Sequence, residues 1–345
     1  MTDISIRKVG RTGRITFTRP QALNALSHDM ALAIDEAFGA WRNDDDVAMV
    51  VIDAEGERAF CAGGDVADVY RKGLAQDYAF GQQFFREEYR MNARIFNFPK
   101  PVAAFMQGFT MGGGVGIGGH GSHRVVGDST KIAMPETGIG LIPDVGGSLL
   151  LARAPGRLGE YLGVTGARMS AGDAIFADFA DYYLPEALWP ALITQLEETG
   201  DWELIDAAAH ADPVSPLAEM MPAINASFGG ETMADILRSL EVLDSDFTTA
   251  TQKSLARNSP LSMAATIELI HRVRARDTIG FALAQEFRYT FRAQQMSDFQ
   301  EGVRAQIIDK DRAPAWKHDS ALSVSMAEVS NLLMPLGADE LKAEE

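Results

Sequence analysis

PVAAFMQGFTMGGGVGIGGHGSHRVV, residues 101–126, places two short apolar segments on either side of a run of glycines. PVAAFMQG, at 101–108, is apolar enough for a buried strand, and His123–Val126 predicts another. Between them the pattern GxGxxG occurs twice, beginning at Gly114 and at Gly116. That pattern is typical of a dinucleotide-binding turn, which opens a full crossover helix. Here the next strand begins almost at once, so we reject a dinucleotide-binding fold.

The glycines indicate a different use of the backbone. A ligand can approach a main chain that carries no Cβ, and a helix that begins there directs free N–H groups outward. FCAGGDV, at 60–66, is a second small-residue turn, and it follows the apolar strand VAMVVIDA at 47–54. One N–H from each turn would form an oxyanion hole for a carbonyl. Glycines that only permit tight packing explain this spacing equally well.

Strand and helix signals alternate through about residue 185, which predicts an α/β protein. Ser27 marks the start of a helix that runs to about Trp41, and residues 79–96 predict a second, longer helix. From about residue 186 the signals are mainly helical, and Ser259-Pro260 is a good helix start. We therefore predict an α/β region followed by a helical C-terminal region, with a soft boundary near residue 190.

Composition excludes several classes of function. A formal net charge of −17 argues against a nucleic-acid partner, because a phosphate backbone requires a basic surface. The single cysteine, Cys61, excludes an intramolecular disulfide and fits a reducing compartment. The six histidines show no metal-binding spacing such as HExxH, so we expect no metal.

Membrane and targeting signals are weak. Residues 101–123 carry no Lys, Arg, Asp or Glu, but seven glycines between 108 and 119 make a membrane-spanning helix unfavourable. The start of the chain, MTDISIRKVG, lacks the apolar centre of a signal peptide. We expect a cytoplasmic protein with no membrane partner.

Several segments occur in an order that resembles the crotonase (enoyl-CoA hydratase/isomerase) superfamily: ITFTRPQALNAL at 15–26, FCAGGD at 60–65, QGFTMGGGVG at 107–116 and PETGIGLIPDVGG at 135–147. Others resemble its 3-hydroxyisobutyryl-CoA hydrolase branch: FFREEYRMN at 84–92, RNSP at 257–260 and DFQEGVRAQIIDKDRAPAW at 298–316. The resemblance implies a crotonase-like α/β fold of repeated ββα units, an acyl-CoA ligand and thioester chemistry.

The resemblance also implies roles for individual residues. Gly64 and Gly113 match the two oxyanion-hole positions, and Glu136 matches the second of the two glutamates that hydratases of the superfamily use. The first of those positions holds Gly116, which cannot exchange a proton, so water addition to an enoyl-CoA is disfavoured. A carboxylate among apolar residues loses solvation, and its pKa rises unless a partner compensates. We predict Glu136 as general base or nucleophile, with Asp144 holding the acyl group's 3-hydroxyl or assisting proton transfer.

Matching by position extends to the CoA part of the substrate. The positions that match the surroundings of the CoA adenine and pantetheine are Arg19, Ala22, Leu23 and Ala62. Lys310 could meet a CoA phosphate, although a solvated surface is the usual place for such a lysine. Simple structural roles compete with the catalytic ones, since Glu136 could cap a turn and Asp144 could cap the helix begun at Gly146.

We predict a cytoplasmic hydrolase, most consistent with conversion of 3-hydroxyisobutyryl-CoA and water to 3-hydroxyisobutyrate and CoA in valine catabolism. It would need no cofactor, and coenzyme A would be part of the substrate. Residues 1–190 would form the core that carries the active site, and residues 191–345 would complete or cover it. An enoyl-CoA hydratase or isomerase with a single catalytic carboxylate, or a non-catalytic acyl-CoA-binding protein, are the alternatives. The chain could form a homo-oligomer.

Overall fold

The computed structural model of the chain describes residues 3–243 and 245–342 and contains two neighbouring sheets. The larger has six strands in the order β1-β2-β3-β5-β7-β9, in which β1 is antiparallel to β2 and every other pair is parallel. The smaller has three parallel strands in the order β4-β6-β8. The strands are β1 (Ile4–Val9), β2 (Thr12–Phe17), β3 (Met49–Ala54), β4 (Ala59–Cys61), β5 (Val102–Met106), β6 (Phe109–Met111), β7 (His123–Val126), β8 (Lys131–Ala133) and β9 (Tyr182–Tyr183).

The chain visits the two sheets in turn. Each of β3, β5 and β7 in the large sheet is followed after a short turn by β4, β6 or β8 in the small one, and a helical segment then returns the chain. This is the repeated ββα unit, and the predicted crotonase-like α/β fold is confirmed. Six residues of helix, Gly113–Gly118, separate β6 from β7, so the region has no room for a full crossover helix.

The other regular elements of the described chain are helices. The predicted helix starts are confirmed where a side chain caps them: Ser27 accepts from the N–H of Met30, and Ser259 from the N–H of Ser262, with Pro260 as the first helical residue. The α-helices are α1 (His28–Trp41), α2 (Ala67–Leu74), α3 (Tyr78–Phe96), α4 (Gly113–Gly118), α5 (Gly147–Arg153), α6 (Leu158–Thr165), α7 (Ala171–Phe176), α8 (Trp189–Thr199), α9 (Glu203–Ala208), α10 (Pro216–Ser227), α11 (Met233–Val242), α12 (Asp246–Leu255), α13 (Pro260–Ala275), α14 (Ile279–Met296), α15 (Phe299–Val303) and α16 (Met326–Leu332).

Shorter helical turns connect these elements. Glu136–Ile139 is a 3₁₀ turn that follows β8, and Arg304–Ile308 is a π-helical turn that follows α15. The remaining 3₁₀ turns are Pro20–Ala22, Glu186–Leu188, Ala321–Ser323 and Gly337–Asp339.

The central strands are buried on both faces, as their continuous apolar sequences predict. In β3, Val50 and Ile52 belong to the main apolar core, while Met49 and Val51 face a second, smaller core. Helices α8 and α9 cover that second core with apolar side chains from Trp189 to Ile205. The large sheet is therefore held rigidly between two apolar layers.

The main core spans the predicted domain division. It contains Leu149 and Leu151 of α5 together with Ile267 and Ile270 of α13. The division at residue 190 stays a prediction, and residues 1–2, 244 and 343–345 of its two parts lie outside the described residues. Within residues 3–243 and 245–342, every helix is too short or too polar to cross a membrane.

Candidate active site

The three strands of the small sheet end at one edge, and each leads directly into a predicted site segment. Because β4, β6 and β8 run parallel, their carboxyl ends meet there. β4 leads into the turn at residues 62–64, β6 into the start of α4 at Gly113, and β8 into Pro135 and Glu136. The fold thus brings together glycine turns and an acidic residue that are up to 72 positions apart in the sequence, from 64 to 136.

The two glycine turns touch. A Cβ atom added to Gly113 would lie 3.2 Å from the backbone nitrogen of Gly64. In the described ranges, the N–H groups of Gly64 and Gly113 have no acceptor among the loop and turn hydrogen bonds. Gly63 and Gly112 have φ values of +114° and +49°, which residues that carry a side chain rarely adopt. In the described ranges, the two turns therefore place two backbone donors without such an acceptor close to each other.

These turns border a cavity of about 460 Å³. Three carboxylates line it and are almost completely buried, with exposed fractions of 3% for Glu88, 5% for Glu136 and 4% for Asp144. The other lining residues are Ala62, Gly63, Gly64, Val66, Phe84, Phe85, Met111, Gly112, Gly113, Pro135, Gly138, Ile139, Leu141, Val145, Arg168, Arg257, Gln306 and Ile307. Acidic side chains thus face a space whose walls are largely apolar.

Glu136 begins the 3₁₀ turn after β8 and points toward the glycines. Its Oε1 lies 2.6 Å from the position that a Cβ on Gly112 would occupy, and its buried Oε2 has no hydrogen-bond partner among the described residues. Burial, and next the negative charge of Asp144, raise the pKa of Glu136 well above its ordinary value. Burial thus favours the protonated form of this carboxyl group.

Asp144 lies in the loop between that turn and α5. Its Oδ2 accepts a hydrogen bond of 2.6 Å from the Tyr89 hydroxyl, whose ring is fully buried. Burial raises the pKa of Asp144 to about 7, while the hydrogen bond from Tyr89 acts in the opposite direction. Asp144 does not cap α5, because the N-cap residue is Gly146 and no side chain of the cap accepts there.

Glu88 is a site residue that the sequence analysis missed. It lies on α3, and its buried Oε1 has no hydrogen-bond partner among the described residues; a Cβ on Gly113 would be only 2.9 Å from that oxygen. Burial, and next the charge of Asp144, raise its pKa well above the ordinary value. Helical spacing could have revealed it, since Glu88 lies one turn after the buried Phe84, on the apolar face of the helix.

The predicted CoA-binding residues are only partly brought together. Ala62 lines the cavity, and its N–H donates to the carbonyl oxygen of Leu23 (3.0 Å). This bond places the 3₁₀ turn at Pro20–Ala22 beside the Gly64 turn. Arg19 pairs with Asp65 at 3.1 Å, next to that turn. Lys310 is exposed and does not line the cavity, although Ile307, three residues earlier, does. The roles of Arg19, Ala22, Leu23, Ala62 and Lys310 stay predictions.

Other reactive side chains near the site have structural surroundings. Cys61 is buried, and burial raises the pKa of its thiol to about 12, so it is not a nucleophile at neutral pH. The Nε2 atom of His120 lies 2.7 Å from the carbonyl oxygen of Val145, and its ring packs on Phe96. In the ranges that the structure describes, no group of three or more His, Cys, Asp or Glu residues could hold a metal ion.

Comparisons with known proteins agree on the family. Residues 12–333 match the family model described as enoyl-CoA hydratase/isomerase. The chain is 36% identical to the mitochondrial 3-hydroxyisobutyryl-CoA hydrolase of Gallus gallus, over 99% of this chain and 91% of that protein. The cytoplasmic location stays a prediction, since that relative is mitochondrial.

The solved structures that the chain resembles are named for other reactions than hydrolysis. The crystal structure of an enoyl-CoA hydratase from Rhodobacter sphaeroides 2.4.1 is 54% identical, covers 99% of this chain and 100% of its own, and superposes with a TM-score of 0.96. That of a carnitinyl-CoA dehydratase from Mycobacterium thermoresistibile is 39% identical, covers 100% of this chain and 99% of its own, and has a TM-score of 0.94. The relatives thus agree on fold and differ in the reaction that they are named for.

We expect Asp144→Asn to stabilise the protein at pH 8 by roughly 1–3 kcal/mol, because the ionised carboxylate loses solvation in the folded state. In the unfolded chain Asp144 ionises at a pH of about 4, whereas in the folded protein its pKa is about 7. The difference in the free energy of unfolding between Asp144→Asn and the wild type should therefore increase as pH rises from 4 to 7 and stay constant above pH 7. Urea unfolding at several pH values measures it.

Glu160→Gln is the matched control for this experiment. Glu160 is fully buried but pairs with Arg157 and Arg274. Burial alone would raise its pKa, but hydrogen bonds from His271, Arg274 and Arg157 lower it. Its replacement should destabilise the protein by about 3–5 kcal/mol at neutral pH, and this effect should shrink only in strong acid. A loss of stability in Asp144→Asn would contradict our account of the cavity.

Proposed function

The chain belongs to the enoyl-CoA hydratase/isomerase family, and on this basis we propose that it hydrolyses a short 3-hydroxyacyl-CoA thioester. The proposed substrate is 3-hydroxyisobutyryl-CoA, and the products are 3-hydroxyisobutyrate and CoA. The observation that supports this most directly is the cavity itself, in which buried carboxylates face two free backbone donors. The name of the hydrolase relative supports the choice of substrate.

In the proposed reaction, the thioester carbonyl oxygen accepts hydrogen bonds from the N–H groups of Gly64 and Gly113. Negative charge develops on this oxygen when the carbonyl carbon is attacked, and donors that are already in place stabilise it without reorganisation. Such a donor contributes about 3 kcal/mol to transition-state stabilisation. The closeness of the two turns, 3.2 Å from a Gly113 Cβ to the Gly64 nitrogen, supports a shared role for these donors.

Glu136 then acts on the carbonyl carbon in one of two ways. As a general base it takes a proton from water, whose oxygen bonds to the carbonyl carbon while the C–S bond breaks. As a nucleophile it first displaces the CoA thiolate to form a mixed anhydride, which water then cleaves. In both routes the thiolate receives a proton, and one water is consumed. The raised pKa of Glu136 makes its carboxylate a stronger base than an ordinary glutamate.

Asp144 is proposed to receive the 3-hydroxyl of the acyl group or to assist the proton transfer. Its buried carboxyl group is held by the Tyr89 hydroxyl, and Leu141 and Val145 also line the cavity near it. The proposed reaction uses no metal and no redox cofactor, because water, two backbone amides and carboxyl groups supply every group that it needs.

Addition of water to an enoyl-CoA is the second candidate function. Glu88 favours it, because it provides a second buried glutamate beside Gly113, and the two solved relatives are named as a hydratase and a dehydratase. The position of the first hydratase glutamate argues against it. A Cβ on Gly116 would lie 2.6 Å from the Cβ of Val145 and 2.8 Å from Nδ2 of Asn92, so no acidic side chain fits there.

The CoA phosphates are proposed to contact Arg168 and Arg257. Both are exposed residues of the cavity lining, and neither forms a salt bridge within the described ranges. In a chain of net charge −17, two unpaired guanidinium groups at the mouth of an acidic cavity would attract an anionic ligand that the rest of the surface repels.

Incubation with 3-hydroxyisobutyryl-CoA should release thiol, whereas crotonyl-CoA should lose its enoyl absorbance slowly or not at all. Glu136→Gln should reduce kcat for thiol release by about 100-fold or more, because an amide neither takes up a proton nor forms an anhydride. Glu87→Gln, a control whose partner His28 lies outside the cavity lining, should retain activity. EDTA should have no effect. Hydration of crotonyl-CoA without thiol release would replace hydrolysis by the second candidate function.

Gly113→Ala should lower kcat by roughly 100-fold, because the new methyl group would crowd the Gly64 nitrogen and the Glu88 carboxylate. Gly138→Ala is the matched control: Gly138 also lines the cavity, but its Cβ would meet only Asn258 Oδ1 at 3.5 Å. Steady-state kinetics of the two variants measures the difference. Equal activities would exclude an oxyanion hole at Gly113.

Arg257→Ala and Arg168→Ala should raise KM by about 3- to 10-fold and leave kcat nearly unchanged, because each removes one exposed charge contact to the CoA phosphates. The dependence of KM on ionic strength should become weaker in each variant. Arg238→Ala, which breaks an exposed ion pair with Asp235 away from the cavity, is the control. A fall in kcat at constant KM would show that these arginines act elsewhere than on CoA.

A further inference from the structure

We propose that Glu286 is a positioning residue, whose buried carboxylate holds the backbone after Asp144 so that the Asp144 side chain stays directed into the cavity. The inference rests on the proposed function, since it concerns the part that Asp144 plays in turnover. Glu286 lies on α14 and does not line the cavity, so it can act only through the loop that it contacts.

The loop after Asp144 has a conformation that needs support. Val145 has a φ of +55° and Gly146 a φ of +81°, so two successive residues are in the left-handed region. For a β-branched residue such as valine this conformation is a clear outlier, because its side chain crowds the backbone. The bend turns the chain sharply between Asp144 and the start of α5. It persists only if contacts around it outweigh the strain.

Glu286 supplies those contacts from a different part of the chain. Its Oε2 accepts from the N–H of Gly146 (2.8 Å), and its Oε1 accepts from the N–H of Ser148 (3.0 Å) and from the Ser148 hydroxyl. The two N–H groups lie at the start of α5, where the cap residue Gly146 provides no side-chain acceptor. A carboxylate 140 positions away in the sequence from Gly146 thus performs the task of a local cap.

Other groups fix the opposite side of the bend. The carbonyl oxygen of Val145 lies 2.7 Å from Nε2 of His120, and a Cβ on Gly146 would collide with that ring at 2.4 Å. The Tyr89 hydroxyl, which holds the Asp144 carboxylate, also lies 3.4 Å from the hydroxyl of Thr290. Thr290 is one helical turn beyond Glu286 on α14. One face of this helix therefore supports both the backbone and the side-chain partner of Asp144.

The charged surroundings of Asp144 make its titration a direct measure of this arrangement. The acidic groups Glu136, Glu88 and Glu286 interact with it from the turn after β8, from α3 and from α14, and Tyr89 donates to it. Burial raises the pKa of Glu286 to about 8, against the hydrogen bonds from Ser148 and Gly146. Entry of water beside a loosened loop would relieve the burial that raises the pKa of Asp144, and would therefore lower that pKa.

The test compares the wild type, Glu286→Gln, Asp144→Asn and the double variant with 3-hydroxyisobutyryl-CoA. A glutamine side chain has one acceptor oxygen, whereas the N–H groups of Gly146 and Ser148 bind two different oxygens of Glu286. Glu286→Gln should lower kcat by roughly 10-fold or more and change KM less than about 3-fold, because the acyl group still enters the cavity. In the Asp144→Asn background the same change should lower kcat by less than about 2-fold, since the Asp144 carboxylate is no longer there to be misplaced. If the kcat of the double variant is lowered by the product of the two single-variant effects, the proposal is overturned.

Asp173→Asn is the matched structural control. Asp173 is also buried and also accepts backbone N–H groups from two segments, those of Ser170 and Leu217, but it does not line the cavity. Its effect on kcat should be the same with and without Asp144. If Glu286→Gln does not fold, Ser148→Ala removes one donor to Glu286 and should show a smaller loss of kcat that again disappears in Asp144→Asn.

A substrate-independent measurement separates this inference from the proposed function. Carboxyl-carbon NMR of the free protein, with the Asp144 signal assigned by its absence in Asp144→Asn, follows the titration directly. In Glu286→Gln the pKa of Asp144 should fall from its wild-type value of about 7 toward that of an ordinary carboxyl group. An unchanged titration would overturn the positioning role whichever acyl-CoA the protein uses. Absence of thiol release by the wild type would instead refute the proposed function alone.

Discussion

Parallel pairing of three very short strands, β4, β6 and β8, is the constraint on which the candidate site depends. Each strand has only three residues, yet their pairing fixes which segments emerge together at the carboxyl edge. One strand end supplies the Gly64 turn, the next supplies Gly113, and the third supplies Glu136. The large sheet, buried on both faces, keeps these strands in place. Without that support, three residues per strand would be too few to form a stable sheet.

Desolvation then gives the assembled groups their chemistry. A carboxyl group in water is ionised at neutral pH and exchanges protons at a pH of about 4. Glu88, Glu136 and Asp144 are buried together, and burial raises the pKa of each. Glu160 shows that burial alone does not decide the outcome, because arginine and histidine partners lower its pKa. Among the described residues no cation shifts the pKa of Glu88, Glu136 or Asp144, which suits proton exchange and weakens the fold.

Local motifs made part of this arrangement predictable from the sequence. The glycine turns, Glu136 and the helix starts at Ser27 and Ser259 depend on neighbours within a few residues, so short patterns reveal them. Glu88 and Glu286 lie on α3 and α14 among apolar residues, and only the packing of those helices shows what they contact. The three-residue strands are too short for any periodicity. Arg168 belongs to no quoted segment and Arg257 begins RNSP at 257–260, but only the tertiary fold shows that both line the cavity.

The π-helical turn at Arg304–Ile308 gives the cavity wall an unusual origin. It places Gln306 and Ile307 in the lining of the cavity, and the N–H of Asp309 closes the wide turn on the carbonyl oxygen of Arg304 at 2.8 Å. A π turn contains one residue more than an α turn, and it occurs mostly as a single widened turn within a helix. Gain or loss of one residue in this segment would change which side chains face the cavity. The shape of the cavity can therefore change through the length of this segment, with every carboxylate of the candidate site left in place.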